Sequence, residues 1–218
     1  MFINKYSHEC GKSELNLMFT PPTQAMILSG YYVDTYPLNN IDNDTPIEFE
    51  IKGSKDEYID TGKTYLHVLV QVTDDKDKPL ANNEECAPVN NLAHSLYQQV
   101  QVYYNNTPVN SSVNSYAHCS YINTLLNHGT DAKNTHLQSC LWFKDTAFQF
   151  DNIDPKEKDG LNAAREVNRG FVERQKLISQ SKVVELFSRL NVDAFNTDRL
   201  LLNLVDIKVK LTKQKHSF

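Results

Sequence analysis

Residues Pro88–Ser112 read PVNNLAHSLYQQVQVYYNNTPVNSS, and their order decides the fold. A short amphipathic turn runs into Gln98–Tyr104, where Val100, Val102 and Tyr104 share one face, as the two-residue period of a strand requires. Asn105-Asn106 then suits a tight hairpin, because Asn tolerates positive φ. Upstream, Asp56–Thr73 reads DEYIDTGKTYLHVLVQVT, with Leu66, Val68, Val70 and Val72 facing in and His67 and Gln71 facing out. Leu69 breaks that pattern, so its face is expected to be covered by an arm or a neighbouring subunit. Downstream, Tyr121, Ile122, Leu125 and Leu126 recur at helical spacing within Ser120–Leu126. None of these stretches resembles reaction chemistry.

The same alternation extends outward. In PIEFEIK, Ile47, Phe49 and Ile51 oppose Glu48, Glu50 and Lys52. Leu201, Val205, Ile207, Val209 and Leu211 share a face across Leu201–Leu211, and Val184–Val192 alternates through Val184, Leu186, Leu190 and Val192. Ala25–Tyr36, rich in Ile, Tyr and Val, predicts the first long strand, and Thr135–Phe150 is strand-like around LQSCLWF. Ser13–Phe19 predicts a short strand stopped by Pro21-Pro22. Asn39–Thr45 is a turn cluster and Asp74–Ala87 a polar loop. Asp151–Arg174 is a polar excursion with a short helix expected at Leu161–Asn168.

About eight strands with short helices in the connections describe an all-β chain, and the jelly-roll antiparallel β-sandwich fits best. Residues 1–23 form an N-terminal arm with its short strand, and 24–218 a single roll. Ile47, Phe49, Ile51, Leu66, Val68, Val70, Val72, Val205, Ile207 and Val209 are expected to lie between two sheets.

Composition narrows the function. With 218 residues, 40% hydrophobic and 22% charged, the chain suits one β domain. A net charge of −5 argues against a broad nucleic-acid surface, despite the basic run Lys208–Lys215. MFINKYSHECGKSELNL has no apolar core or cleavage site of a secretion signal, and no run is long and apolar enough to span a bilayer. Cys10, Cys86, Cys119 and Cys140 are scattered and read as free thiols, and the sequons at Asn105 and Asn110 as turn composition.

Sites of chemistry do not emerge. HExxH, GxSxG, phosphate-binding and dinucleotide motifs are absent, and seven scattered glycines build no phosphate loop. His118, Cys119, His128, His136 and Cys140 are zinc-ligand types at spacings that fit no compact zinc motif. Asp56, Glu57 and Asp60 lack calcium-loop spacing, and Glu84-Glu85 sits in a polar loop. Tyr31, Tyr32, Tyr103, Tyr104 and Trp142 suit a core or subunit contact better than a sugar platform. No residue is nominated as catalytic, cofactor-binding or metal-ligating. No enzyme activity and no cofactor are expected.

Seven segments carry a resemblance: SELNLMFTPPTQ, PIEF, DEYIDTGKTYLHV, PVNNLAHSLYQQVQVYYNN, YINTLL, HLQSCLWFKDTA and RLLLNLVDIKVKLTK, covering most of Ser13–Lys213. In content and order they resemble the double jelly-roll major capsid proteins of Polinton (Maverick) elements and adintoviruses, and more distantly those of large DNA viruses. In that wider group a strand, an Asn-containing helical turn, another strand and a polar hairpin recur in the position held here by Pro88–Val109. The resemblance implies the N-terminal roll of a two-roll chain, with the second roll following beyond what corresponds to Phe218. It also implies a structural role in an icosahedral shell, through trimers that form pseudo-hexameric capsomers. Expected partners are further copies or a second jelly roll, with minor capsid proteins beside them, and neither direct nucleic-acid binding nor a membrane span. Expected locations are the virion and the host cytoplasm or nucleus, not the secretory route. A carbohydrate-binding jelly-roll module is the alternative.

Overall fold

The computed structural model describes residues 27–41, 45–74, 76–81, 86–110, 114–153 and 167–214. Among them the alternating segments form strands β1 (Ile47–Ile51), β2 (Tyr65–Val70), β3 (Tyr97–Tyr104), β4 (Thr107–Pro108), β5 (Val184–Arg189) and β6 (Ile207–Lys213). All pairings are antiparallel, in a four-stranded sheet of order β1-β6-β3-β4 and a two-stranded sheet of order β2-β5. Four short helices connect them: α1 (Leu92–Ser95), α2 (Tyr116–Asn127), α3 (Thr130–Lys133) and α4 (Arg169–Ile178).

The register places apolar residues opposite apolar ones. Leu211 of β6 faces Ile47 on one side and Val100 on the other, and Val209 lies between Phe49 and Val102. These side chains share one buried core with Leu66 of β2, Tyr116 of α2, and Leu190, Val192 and Phe195. The two sheets thus close over one interior, and burying such side chains contributes about 1.5–3 kcal/mol each. Of the expected core, Ile47, Leu66, Ile207 and Val209 are fully buried, while Phe49, Ile51 and Val68 pack half-buried against it. Val70 joins a smaller cluster with Leu92, Ala93, Cys140, Leu141 and Leu186. Val72 and Val205 are half-buried outside the strands.

Several expected elements fold differently. The described part of Ala25–Tyr36 forms no strand. Its Ile, Tyr and Val favour β structure only where packing rewards them, and here their side chains are exposed. The chain divides into units Met1–Asp34 and Thr35–Phe218, and residues 27–34 of the first are exposed throughout. Within Thr135–Phe150 a 3₁₀ turn, His136–Cys140, replaces the strand. Cys140, Leu141 and Trp142 are buried in succession, unlike a strand with one face to solvent, and Leu141 turns the chain at φ 58°.

Leu201–Leu211 is a strand only from Ile207 onward, with Leu201 bridging singly to Ile59. Between them the chain turns at Leu204 (φ 61°) and crosses Gly53. A Cβ at Gly53 would lie 2.5 Å from the Val205 nitrogen, so the crossing needs glycine there. α4 lies in and beyond the tail of the expected polar excursion; it buries Phe171, Arg174 and Ile178, and the Asn168 side chain caps it by accepting from the Phe171 N–H. The helix expected at Leu161–Asn168 falls mostly outside the described residues, as does the Ser13–Phe19 strand.

Asn105 and Asn106 adopt φ of 48° and 66° in the β3–β4 hairpin, as the sequence leads one to expect. β4 is too short to cover β3 alone, and Asn110 completes the edge. Its amide donates to the Val100 carbonyl (2.7 Å) and its Oδ1 accepts from the Val102 N–H (2.7 Å). Asn110→Ala leaves both backbone groups without partners and is expected to destabilise the fold by about 1–3 kcal/mol, measured by urea unfolding. An unchanged urea midpoint would show that the cap is dispensable.

Candidate functional site

The Asn90-Asn91 pair of the opening stretch acts as a structural hub. Asn90 Oδ1 accepts from the N–H groups of Asn91 and Phe143, both at 2.9 Å, and its Nδ2 donates to the Phe143 carbonyl (2.8 Å). Asn91, at φ 60°, starts α1, and its Nδ2 donates to Ser120 Oγ of α2 (3.4 Å). From α4, Arg174 Nε donates to the Pro88 carbonyl (2.9 Å) and Nη2 pairs with Asp145 (2.9 Å), both side chains being almost fully buried. Every charged atom has a partner here, so the group serves architecture: it ties α1, α2, α4 and the 141–146 segment together.

A second buried contact lies beside it. His94 of α1 and Tyr116 of α2 meet at 2.9 Å between Nδ1 and the phenol oxygen. That oxygen also accepts from the Asn191 N–H (3.1 Å). With the imidazole neutral, its Nδ1 can accept the phenol proton, and the pair is then satisfied without a buried charge. Burial lowers the His94 pKa to about 4 and raises that of Tyr116 above its ordinary value.

The zinc-type residues do not assemble. His128 and His136 meet edge to face with ring centroids 6.0 Å apart, and the His128 pKa is lowered by burial and then by His136 and Lys133. Cys140 is buried and donates to the Phe187 carbonyl (3.5 Å), while Cys119 and His118 are exposed on α2. Among the described residues no three His, Cys, Asp or Glu side chains gather in a way that could hold a metal ion. Asp60 pairs with Lys63 (3.1 Å), and Glu84-Glu85 lies outside the described residues. Trp142 is buried beside Tyr121, ring centroids 4.9 Å apart, and so offers no open face to a sugar. Tyr103 and Tyr104 point to opposite sides of β3.

What distinguishes the surface is its sidedness. On the outside of the larger sheet, Glu48, Lys210 and Gln101 form one cross-strand row, and Glu50, Lys208 and Tyr103 the next. Lys210 pairs with Glu48 at 3.3 Å, so this face is polar and internally matched. The outside of β2-β5 carries Tyr65 stacked on Phe187 (4.8 Å), with Leu69 63% exposed beside them. Leu69 is thus an outward apolar residue, as its break in alternation implies. Phe148, 95% exposed, and Phe150 add to the apolar surface at Thr146–Phe150. The helical spacing at Ser120–Leu126 falls within α2, where Tyr116, Ser120 and Thr124 face the interior while Ile122, Leu125 and Leu126 face out. Ser120 and Thr124, small polar residues at spacing four, let the helix approach closely and leave its apolar stripe outward.

No protein-family model matches the chain, and no solved structure matches it. It is similar to the uncharacterized protein F54H12.2 of Caenorhabditis elegans, 22% identical over 196 residues, covering 87% of this chain and 42% of that protein. The chain therefore spans less than half the length of that relative. Among the described residues no helix is long and apolar enough to cross a membrane.

The buried histidine generates a pH dependence. The folded pKa of His94, about 4, lies below its unfolded value of 6.5, so the unfolded chain binds the extra proton between these values. Stability contributed by the neutral ring is complete above pH 6.5 and falls as pH drops toward 4, by about 3 kcal/mol in all. Urea midpoints from pH 7.5 to 4 should show this loss, and His94→Gln should flatten that component. An identical pH profile in the variant would contradict the assignment.

Proposed function

We propose that this chain is a jelly-roll unit of a major capsid protein, similar to the double jelly-roll proteins of Polinton elements and adintoviruses, and that its function is structural. The observation that carries the reading is the nested pairing of the strands. β1 pairs with β6 and β2 with β5, and the two pairs belong to different sheets. A folded-over hairpin wrapped around a core pairs first with last and second with next-to-last, which is the jelly-roll arrangement. β3 lies beside β6, as the third strand of such a roll does. In chain order α2, α3 and α4 come between β4 and β5, where an eight-stranded roll would have further strands.

Exposed apolar surface on β2-β5 and α2 supports assembly, since a lone domain gains nothing by showing such residues to water. The worm relative is more than twice as long as its matched part, which leaves room for a second roll of similar size. On this reading the partners are neighbouring rolls, in trimeric, pseudo-hexameric capsomers with minor capsid proteins beside them. The working location is the virion, with synthesis in host cytoplasm or nucleus outside the secretory route. No catalysis, cofactor or direct nucleic-acid contact is assigned.

Sedimentation, negative-stain microscopy and a glycan array test this together. The reading expects concentration-dependent oligomers, ordered capsomer-sized particles from the two-roll form, and no glycan retention. A clean monomer at high concentration that binds one defined glycan tightly would replace it with the carbohydrate-binding alternative.

A further inference from the structure

α2 meets the interior through few groups. Of its buried residues Tyr116, Ser120 and Thr124, the first alone is large, while Ile122, Leu125 and Leu126 face outward. Two of its polar ties are long: Ser120 to Asn91 (3.4 Å) and Asn123 to Asn191 (3.3 Å). At its far end the Lys133 ammonium donates to the Leu125 carbonyl (2.9 Å). A short tie joins Tyr116 to His94 of α1 at 2.9 Å. α1 is fixed on its other side, where Leu92 and Ala93 pack in one cluster with Leu186 of β5. His94 therefore sits where a firmly packed helix meets a lightly held one.

Among the described residues, none is placed to offset a positive charge on that ring. α1, α2 and β3 contain no Asp or Glu. α2, β5 and the 3₁₀ turn His136–Cys140 pack on α1, and β3 follows it in the chain. The buried titratable groups they bring are Tyr116, Tyr97 and Cys140, each kept neutral by burial. His118 and His136 are exposed, Glu185 is paired with His67, and Arg189 donates to the Phe195 carbonyl. Asp145, tied to the start of α1 through Asn90, is matched by Arg174. Burial alone holds the His94 pKa down to about 4. A proton on Nδ1 would also aim a second donor at a phenol oxygen that already receives the Asn191 N–H.

We propose that His94 and Tyr116 form an acid-operated latch: protonation of His94 releases α2 from α1 while the two sheets stay closed. A buried charge without a partner must reach water or drive the surrounding structure open. Parting α1 from α2 hydrates the ring at the loss of one large buried side chain, whereas parting the sheets would expose the whole core, so the helix yields first. Acid then frees the element that carries the outward stripe of Ile122, Leu125 and Leu126, and that apolar surface becomes pH-sensitive. The latch goes beyond the capsid reading and does not depend on it.

Trp142, the single tryptophan, is buried against Tyr121 of α2 and reports the release. As the full chain is taken from neutral pH to pH 4, its emission should shift to the red and become open to acrylamide quenching, with a midpoint between pH 4 and 6.5. Peptides of β3 and β6 should keep their hydrogen–deuterium protection through that midpoint, once intrinsic exchange is corrected for pH. His94→Gln should hold Trp142 buried throughout. Should that variant not fold at neutral pH, the His94 ring resonance of the wild-type protein decides, and it should titrate at the Trp142 midpoint. His128 and His136 titrate near the reporter, since Lys133 lies beside His128 and over the Trp142 ring. Replacing both by Gln should leave the midpoint where it was. A Trp142 that stays buried to pH 4, a transition kept in His94→Gln or lost in the double variant, a His94 resonance that titrates elsewhere, or β3 and β6 protection lost at the Trp142 midpoint would each overturn the proposal.

Discussion

The fold depends on β6, the last described strand in the chain and a central one in its sheet. Each inward residue of Ile207, Val209 and Leu211 has a partner on both sides, β1 on one and β3 on the other. The larger sheet therefore cannot exist without a segment more than a hundred residues from its nearest partner, β3. Loop closure must be paid before the core gains anything, which favours slow, cooperative folding. The corner where the three strands meet is locked by Asp206: its carboxylate accepts from the Gly53 N–H (2.8 Å), and its backbone exchanges hydrogen bonds with Asn105.

Around that sheet the connections are held by polar groups more than by apolar packing. The Asn90, Asn91, Arg174 and Asp145 network joins three helices that bury few large side chains of their own. α2 uses Ser120 and Thr124 against the interior, so its leucines are left outside. The consequence is a molecule with unlike faces. The larger sheet shows mainly matched charges to water, while the other sets the Tyr65–Phe187 stack and Leu69 beside its His67–Glu185 pair, and α2 shows aliphatic side chains.

The strands were legible wherever alternation met burial on one face: Ile47–Ile51, Tyr65–Val70, Gln98–Tyr104 and Val184–Arg189 all form. The hairpin at Asn105-Asn106 was legible from backbone chemistry alone. Illegible were segments whose apolar residues serve the exterior. Tyr31–Val33 has strand composition without a ladder, and Ile122–Leu126 forms the helix its spacing indicates but shows that apolar stripe to the outside. Periodicity reports which residues are grouped on a face and cannot tell an interior from an interface. The 136–142 turn escaped because its burial runs consecutively, and α4 because a capped helix with a buried Arg resembles a polar loop. Of the surface positions, Leu69 was legible from its break in alternation, whereas the exposure of Phe148 and Phe150 was not.

Sidedness is the central claim, and hydrogen–deuterium exchange compared between dilute and assembled protein tests it most directly. On assembly, peptides covering Tyr65–Val70 and Tyr116–Asn127 should gain protection, while those covering Ile47–Ile51 and Ile207–Lys213 should stay as they were. Protection gained on the charged sheet, with β2 and α2 exchanging as before, would contradict the account.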